Sequence, residues 1–168
     1  KEKALLLLTK GANIVDSESP TEPIVIAVKM HDQFWTNKLI DNHANAMNKT
    51  YPLVEMYIKE PFFDFEYFKK MEHFNLSLGT PIQSASQKSN ETAIFLWNQA
   101  TEDEKLIISN SVDENGFIPL VSAIYSNNEA LFTELIDEKY NITKTDYKWR
   151  TPFMHSCIAN NTNFIFKL

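Results

Sequence analysis

Apolar residues return along the chain at helical spacing in short blocks, and most blocks open on a proline. The first, Thr21–Val28 (T-E-P-I-V-I-A-V), predicts a helix entered at Pro23, where a fixed φ and a missing N–H do no harm. A second helix is predicted from Gln33 to Asn42, with Phe34, Trp35, Leu39 and Ile40 on its apolar positions. The pattern restarts at Tyr51–Tyr57 (Y-P-L-V-E-M-Y). It is followed by the aromatic run Phe62, Phe63, Phe65, Tyr67 and Phe68, read as core of which only Phe62 or Phe63 need be exposed. Thr80–Ser86 (T-P-I-Q-S-A-S) opens the next block, and Ile94, Phe95, Leu96 and Trp97 form the apolar part of its second helix. Thr101 followed by Glu104 reads as a capping box that starts a short additional helix. Helices are expected near Pro119–Ser126 and Asn128–Tyr140, and a last block begins at Asp146 and runs to N-F-I-F-K-L.

The blocks are copies of one another. D-E-N-G-F-I-P-L-V-S-A from Asp113 and D-Y-K-W-R-T-P-F-M-H-S from Asp146 align Asp with Asp, Pro119 with Pro152, and Asn127-Asn128 with Asn160-Asn161, a shift of 33 residues. Pro23, Pro52, Pro81, Pro119 and Pro152 occupy the same motif position at spacings of 29, 29, 38 and 33. A period near 33 residues is a signature of stacked helical repeats. Ala27 falls where neighbouring helices need a small residue to approach closely.

These half-matches to T-P-L-H-x-A resemble the ankyrin repeat family. The resemblance implies an all-α, ankyrin-like helix-turn-helix solenoid with short β-hairpin or loop connections. It divides 1–168 into a partial repeat (1–14), repeats at about 15–47, 48–76, 77–112 and 113–145, and a partial repeat at 146–168. L-L-x-x-G-A-[DN] at the start matches the close of an ankyrin unit, with Gly11 in a turn that needs positive φ. A fragment of a longer protein is therefore expected. The match is weakest over 45–80 and 98–112. The motif glycine survives only at Gly116, Trp149 stands in its place one unit later, and the motif histidine is absent. Helix pairs of another solenoid type fit the same spacing.

Composition adjusts this picture. Only 3 glycines serve the turns, but 16 asparagines are present, and Asn tolerates left-handed backbone. Net charge is −6 with a pI near 5.2, and the cations are dispersed, which argues against nucleic-acid or anionic-membrane surfaces. Cys157 is the single cysteine, so no internal disulfide is expected and a reducing, cytoplasmic setting fits best. Five glycosylation sequons, starting at Asn48, Asn75, Asn90, Asn141 and Asn160, read as chance in a chain this rich in Asn, Ser and Thr.

Chemistry is sparse. His155 and Cys157 are two apart on one helix, so they diverge too far for a nucleophile–base pair, and both are expected to pack between repeats. The four histidines lack ligand spacing, and no glycine-rich phosphate loop exists; neither metal, cofactor nor catalytic residue is expected. Glu102, Asp103 and Glu104 read as a solvated helix start.

Carried over position by position, the ankyrin resemblance implies a concave protein-binding face made of Glu114, Asn115, Phe117, Tyr125, Ser126, Tyr147, Lys148, Trp149, Arg150, Ile158 and Ala159. The shorter units would extend it through Lys29, Met30, Ile58, Lys59, Gln87 and Lys88. Tyr147, Trp149 and Arg150 are the residue types that dominate interface hot spots, although Trp149 folded back on a hairpin as core is an equal reading. The expected function is a monomeric scaffold or adaptor that binds another protein, in style like the ankyrin-repeat effectors that intracellular bacteria release into host cytosol. The alternative is a non-catalytic spacer that positions an enzymatic domain elsewhere in the parent chain.

Overall fold

The computed structural model describes residues 23–42, 45–46, 52–136 and 142–168, with isolated positions 3, 6, 7 and 10 before them. The expectations for Gly11, Tyr51 and the stretch 137–140 lie outside the described residues. The chain is mostly helical. By compactness it divides into two units, 1–78 and 79–168. Among the described residues no helix is long and apolar enough to cross a membrane.

In the first unit the elements are α1 (Pro23–Lys29), α2 (Gln33–Asp41), β1 (Asn45–Ala46), α3 (Leu53–Lys59), α4 (Phe65–Phe68) and β2 (Glu72–Phe74). The second unit holds α5 (Pro81–Lys88), α6 (Asn90–Gln99), α7 (Glu102–Asn110), α8 (Pro119–Tyr125), α9 (Glu129–Leu135), α10 (Pro152–Ile158) and α11 (Thr162–Ile165).

Local chemistry sets these boundaries. Pro23, Pro81, Pro119 and Pro152 each open a helix, where no N–H is needed. Three helical hairpins then turn in the same way. His31, Asn127 and Asn160 take positive φ (53°, 52° and 52°). The amides of the residues that follow, Asp32, Asn128 and Asn161, return to the carbonyls of Ala27, Ala123 and Ser156 at 3.0, 2.9 and 3.0 Å. This is the Schellman closure, and the left-handed residue is the one that Gly or Asn fills most cheaply. The same Asp32, Asn128 and Asn161 side chains then accept from Trp35, Leu131 and Phe164 N–H and start the next helix. The α5–α6 turn is one residue tighter: Ser89 ends one helix and caps the next, accepting from Thr92 N–H at 3.0 Å. Thr101 and Glu104 form the expected reciprocal capping box at α7.

Packing follows the repeat. First helices meet first helices (α1 with α3, α5 with α8, α8 with α10), and α6 meets α9. The contact column is small: Ala27, Ala85, Ala123 and Ser156, four residues after each opening proline, are all buried. Phe132 and Phe164 stack between second helices with ring centroids 4.0 Å apart. Bonds between neighbouring hairpins span one repeat length of sequence. Examples are His31–Glu60 (29 residues), Tyr125–His155 (30) and Asn127–Asn161 (34).

The first unit departs from this rule at Pro52, which lies just outside α3 as its N-cap. Asp64 caps α4 twelve residues after Pro52, against nine from Pro23 to Asp32, and the longer connection brings Phe62 and Phe63 onto Tyr57. Burial pushes the Tyr57 hydroxyl up to about 12, partly offset by the backbone of Asp64. β1 and β2 pair in parallel, Asn45 opposite Glu72 and Ala46 opposite Phe74. Strands at matching points of successive repeats run the same way, so parallel pairing is their natural ladder.

Candidate functional site

The second unit carries a cleft of about 340 Å³, lined by Ser86, Gln87, Asp113, Asn115, Phe117, Ser122, Tyr125 and Ser126. One wall is the end of α5 and another is the outward side of α8. The third is the turn 113–117. Asp113 makes that turn: its Oδ1 accepts from Asn115 and Phe117 N–H at 2.9 and 2.8 Å, while its own amide donates to Phe117 O at 3.1 Å. Gly116 sits at φ 79°, and a Cβ there would come within 2.9 Å of the Tyr147 ring.

Asp146 builds the same turn one unit later. Its Oδ1 accepts from Lys148 and Arg150 N–H at 2.8 and 2.9 Å, and Trp149 takes the glycine position at φ 60°. Here the second carboxylate oxygen is also used. Oδ2 meets Arg150 Nε at 2.7 Å, Arg150 Nη2 at 2.6 Å and His155 Nε2 at 3.2 Å, with the Asp146 side chain 1% exposed. Burial alone would raise this acid, but hydrogen bonds from the Arg150 side chain and from the Arg150 and Lys148 backbone hold it below the usual carboxylate range.

His155 ties the two turns together. It is completely buried, and its Nδ1 lies 2.9 Å from Tyr125 Oη. A carboxylate only accepts, so Nε2 carries the proton toward Asp146, and Nδ1 then accepts from the Tyr125 hydroxyl. Desolvation, reinforced by the Arg150 charge, lowers the His155 pKa despite Asp146 and keeps the ring neutral. Phe117 stacks on Tyr125 (5.6 Å) and meets the His155 ring edge-on (5.0 Å).

Of the residues that the sequence puts on a binding face, Gln87, Asn115, Phe117, Tyr125 and Ser126 line this cleft, and Glu114 is exposed beside it. Tyr147 lies over Gly116 while remaining exposed, and Trp149 is 82% exposed, which removes the reading of it as core. Lys148 is exposed, whereas the Arg150 guanidinium is turned onto Asp146. Ile158 is exposed on α10, Ala159 half-buried, and Lys88 exposed. In the first unit Lys29 and Met30 are exposed and Lys59 pairs with Glu55 at 2.6 Å.

Two expectations need correction. Ile58 is fully buried, because α3 begins after Pro52 rather than on it and the counting from the proline loses its register. Cys157 does not pack between repeats; it is an exposed free thiol, on the other side of α10 from buried His155. Sequence reasoning missed Asp113, Ser86 and Ser122 as lining residues, although the Asp113–Asp146 alignment signals the shared turn. The Tyr125–His155 bond leaves no local signal.

Among the described residues no cluster of three or more His, Cys, Asp or Glu is arranged to hold a metal ion. The chain matches no protein-family model and no curated protein sequence.

Proposed function

We propose that the chain is a divergent ankyrin-like array that works as a protein-binding scaffold, its partner seated over the cleft and the two aspartate turns beside it. The observation that carries this reading is a convergence: residues transferred from ankyrin arrays by position, Gln87, Asn115, Phe117, Tyr125 and Ser126, line one cleft. Exposed Tyr147 and Trp149 stand on the neighbouring turn, and such aromatics supply interface energy with few rotors to freeze. The turns are held by their own hydrogen bonds before any partner arrives, so little ordering entropy is lost on docking. The reading assigns no catalytic step to the chain. Its free thiol suits a reducing compartment.

The test is a lysate capture with the wild type and a Tyr147→Ala/Trp149→Ala variant, followed by calorimetry with the purified captured protein. Arg150 is left intact because it secures Asp146. A partner bound by the wild type and lost by the variant with unchanged circular dichroism supports the scaffold. Equal binding by both removes these turns from the interface, and no partner from any lysate overturns the reading.

A further inference from the structure

Three hydroxyls that line the cleft turn their protons away from it, while the Gln87 and Asn115 side-chain amides keep both donors and acceptors. Ser86 Oγ donates its proton to Ile82 O at 2.9 Å, Ser126 Oγ to Ala123 O at 3.4 Å, and the Tyr125 hydroxyl to His155 Nδ1 at 2.9 Å. Each of these oxygens therefore has only lone pairs left to offer a guest. Asp113 adds a carboxylate whose Oδ1 serves the turn while Oδ2 meets no donor among the described residues. None of the eight lining residues is a cation, and Glu114 sits next to Asp113. Phe117 and Tyr125 present stacked rings, tilted by 23°.

We infer that the cleft is an arginine pocket: it receives the guanidinium of an arginine side chain from a protein partner, stacked against Phe117–Tyr125 and bonded to Asp113 Oδ2 and the serine and tyrosine oxygens. The inference rests on the scaffold reading and names the chemistry of its partner. A guanidinium supplies five donors in a plane, which suits several acceptors beside an aromatic surface; an ammonium is a compact, strongly hydrated point charge and gains less there. An anionic guest would face Asp113 with no compensating charge in the lining. His155 acts as a positioning residue, since its tautomer, fixed by Asp146, turns the Tyr125 proton away from the cleft.

The test titrates the 15N-labelled chain with N-acetylarginine methylamide, and separately with the lysine and glutamate analogues. Saturable amide shifts at Ser86, Gln87, Asn115, Phe117 and Tyr125 are expected with arginine, weaker ones with lysine and none with glutamate. Asp113→Asn keeps Oδ1 for the turn and removes the charge. Arginine affinity should fall about tenfold, the size of one charge-assisted hydrogen bond. If that variant fails to fold, Phe117→Leu serves instead and should abolish the preference for arginine over lysine. An equal response to glutamate, no saturation at these amides, or unchanged arginine affinity in the folded variant overturns the pocket. The two readings fail separately. A captured partner indifferent to Asp113→Asn leaves the scaffold and removes the pocket, whereas saturable arginine binding without any protein partner does the reverse.

Discussion

Replacing Asp146 by Ala tests the account of the two turns most directly, because Asp113 supplies an internal control with the same backbone geometry. Asp146 accepts two backbone N–H groups, two arginine N–H groups and the His155 N–H, whereas Asp113 accepts two backbone N–H groups. Arg150 is 30% exposed and can turn to water, so its share is discounted. His155 is fully buried and would lose a partner it cannot replace, a cost of about 1–3 kcal/mol. Two weakened turn bonds add about 1 kcal/mol each. Asp146→Ala should therefore cost about 3–5 kcal/mol, within the range for breaking a buried pair from one side. Asp113→Ala, at a half-buried site whose amides can reach water, should cost about 1–2 kcal/mol. Asp146→Asn should fall between, since it keeps Oδ1 for the turn but points an amide at Arg150. Urea denaturation of the whole chain by circular dichroism gives the totals. Hydrogen exchange over 146–158 gives the local cost, which matters because two compact units need not melt together. Equal costs for the two alanine variants, or Asn no better than Ala, would refute the assignment of Asp146 as the buried anchor.

Acid should weaken the fold in two steps. His155 and Asp146 both have folded pKa values below their ordinary ones, so the unfolded chain binds more protons in each window. Stability from His155 is lost as pH falls through about 6.5 and below, and that from Asp146 is lost below about 4. Melting temperatures from pH 8 down to pH 2 check this, and His155→Gln should flatten the upper step. Gly116→Ala should cost about 2 kcal/mol or more, combining strained φ with contact against Tyr147; Trp149→Gly should gain up to about 1 kcal/mol by relieving the same strain. Thermal melts of opposite sign are expected, and a destabilised Trp149→Gly would mean that the indole is packed.

Much of the secondary structure was legible because it depends on near neighbours. Four prolines that open helices, the Thr101–Glu104 capping box and Asn127 and Asn160 at left-handed turns are all dictated within a few residues. His31 in that same left-handed role was not, since its neighbours carry no repeated Asn pair. The register of Ile58 failed for a related reason. A count from Pro52 starts one residue early, and one residue of slip at a helix start rotates every side chain by about 100°. The Tyr125–His155 bond joins residues thirty apart, which a single sequence does not pair. The cleft itself comes from three separate segments, so its aromatic members could be transferred by position while Ser86 and Ser122, ordinary helix residues in one dimension, could not.

Bonds between hairpins that span only about thirty residues have a kinetic meaning. Closing a loop costs entropy that grows with the logarithm of its length, so each new hairpin pays a similar toll however many precede it. Bonds of this span avoid the slow search that more distant pairings impose, and relaxation after dilution from denaturant should be quick for a chain of this size. A lineage that duplicates or deletes one such block alters the length of the molecule without lengthening any single step in its assembly.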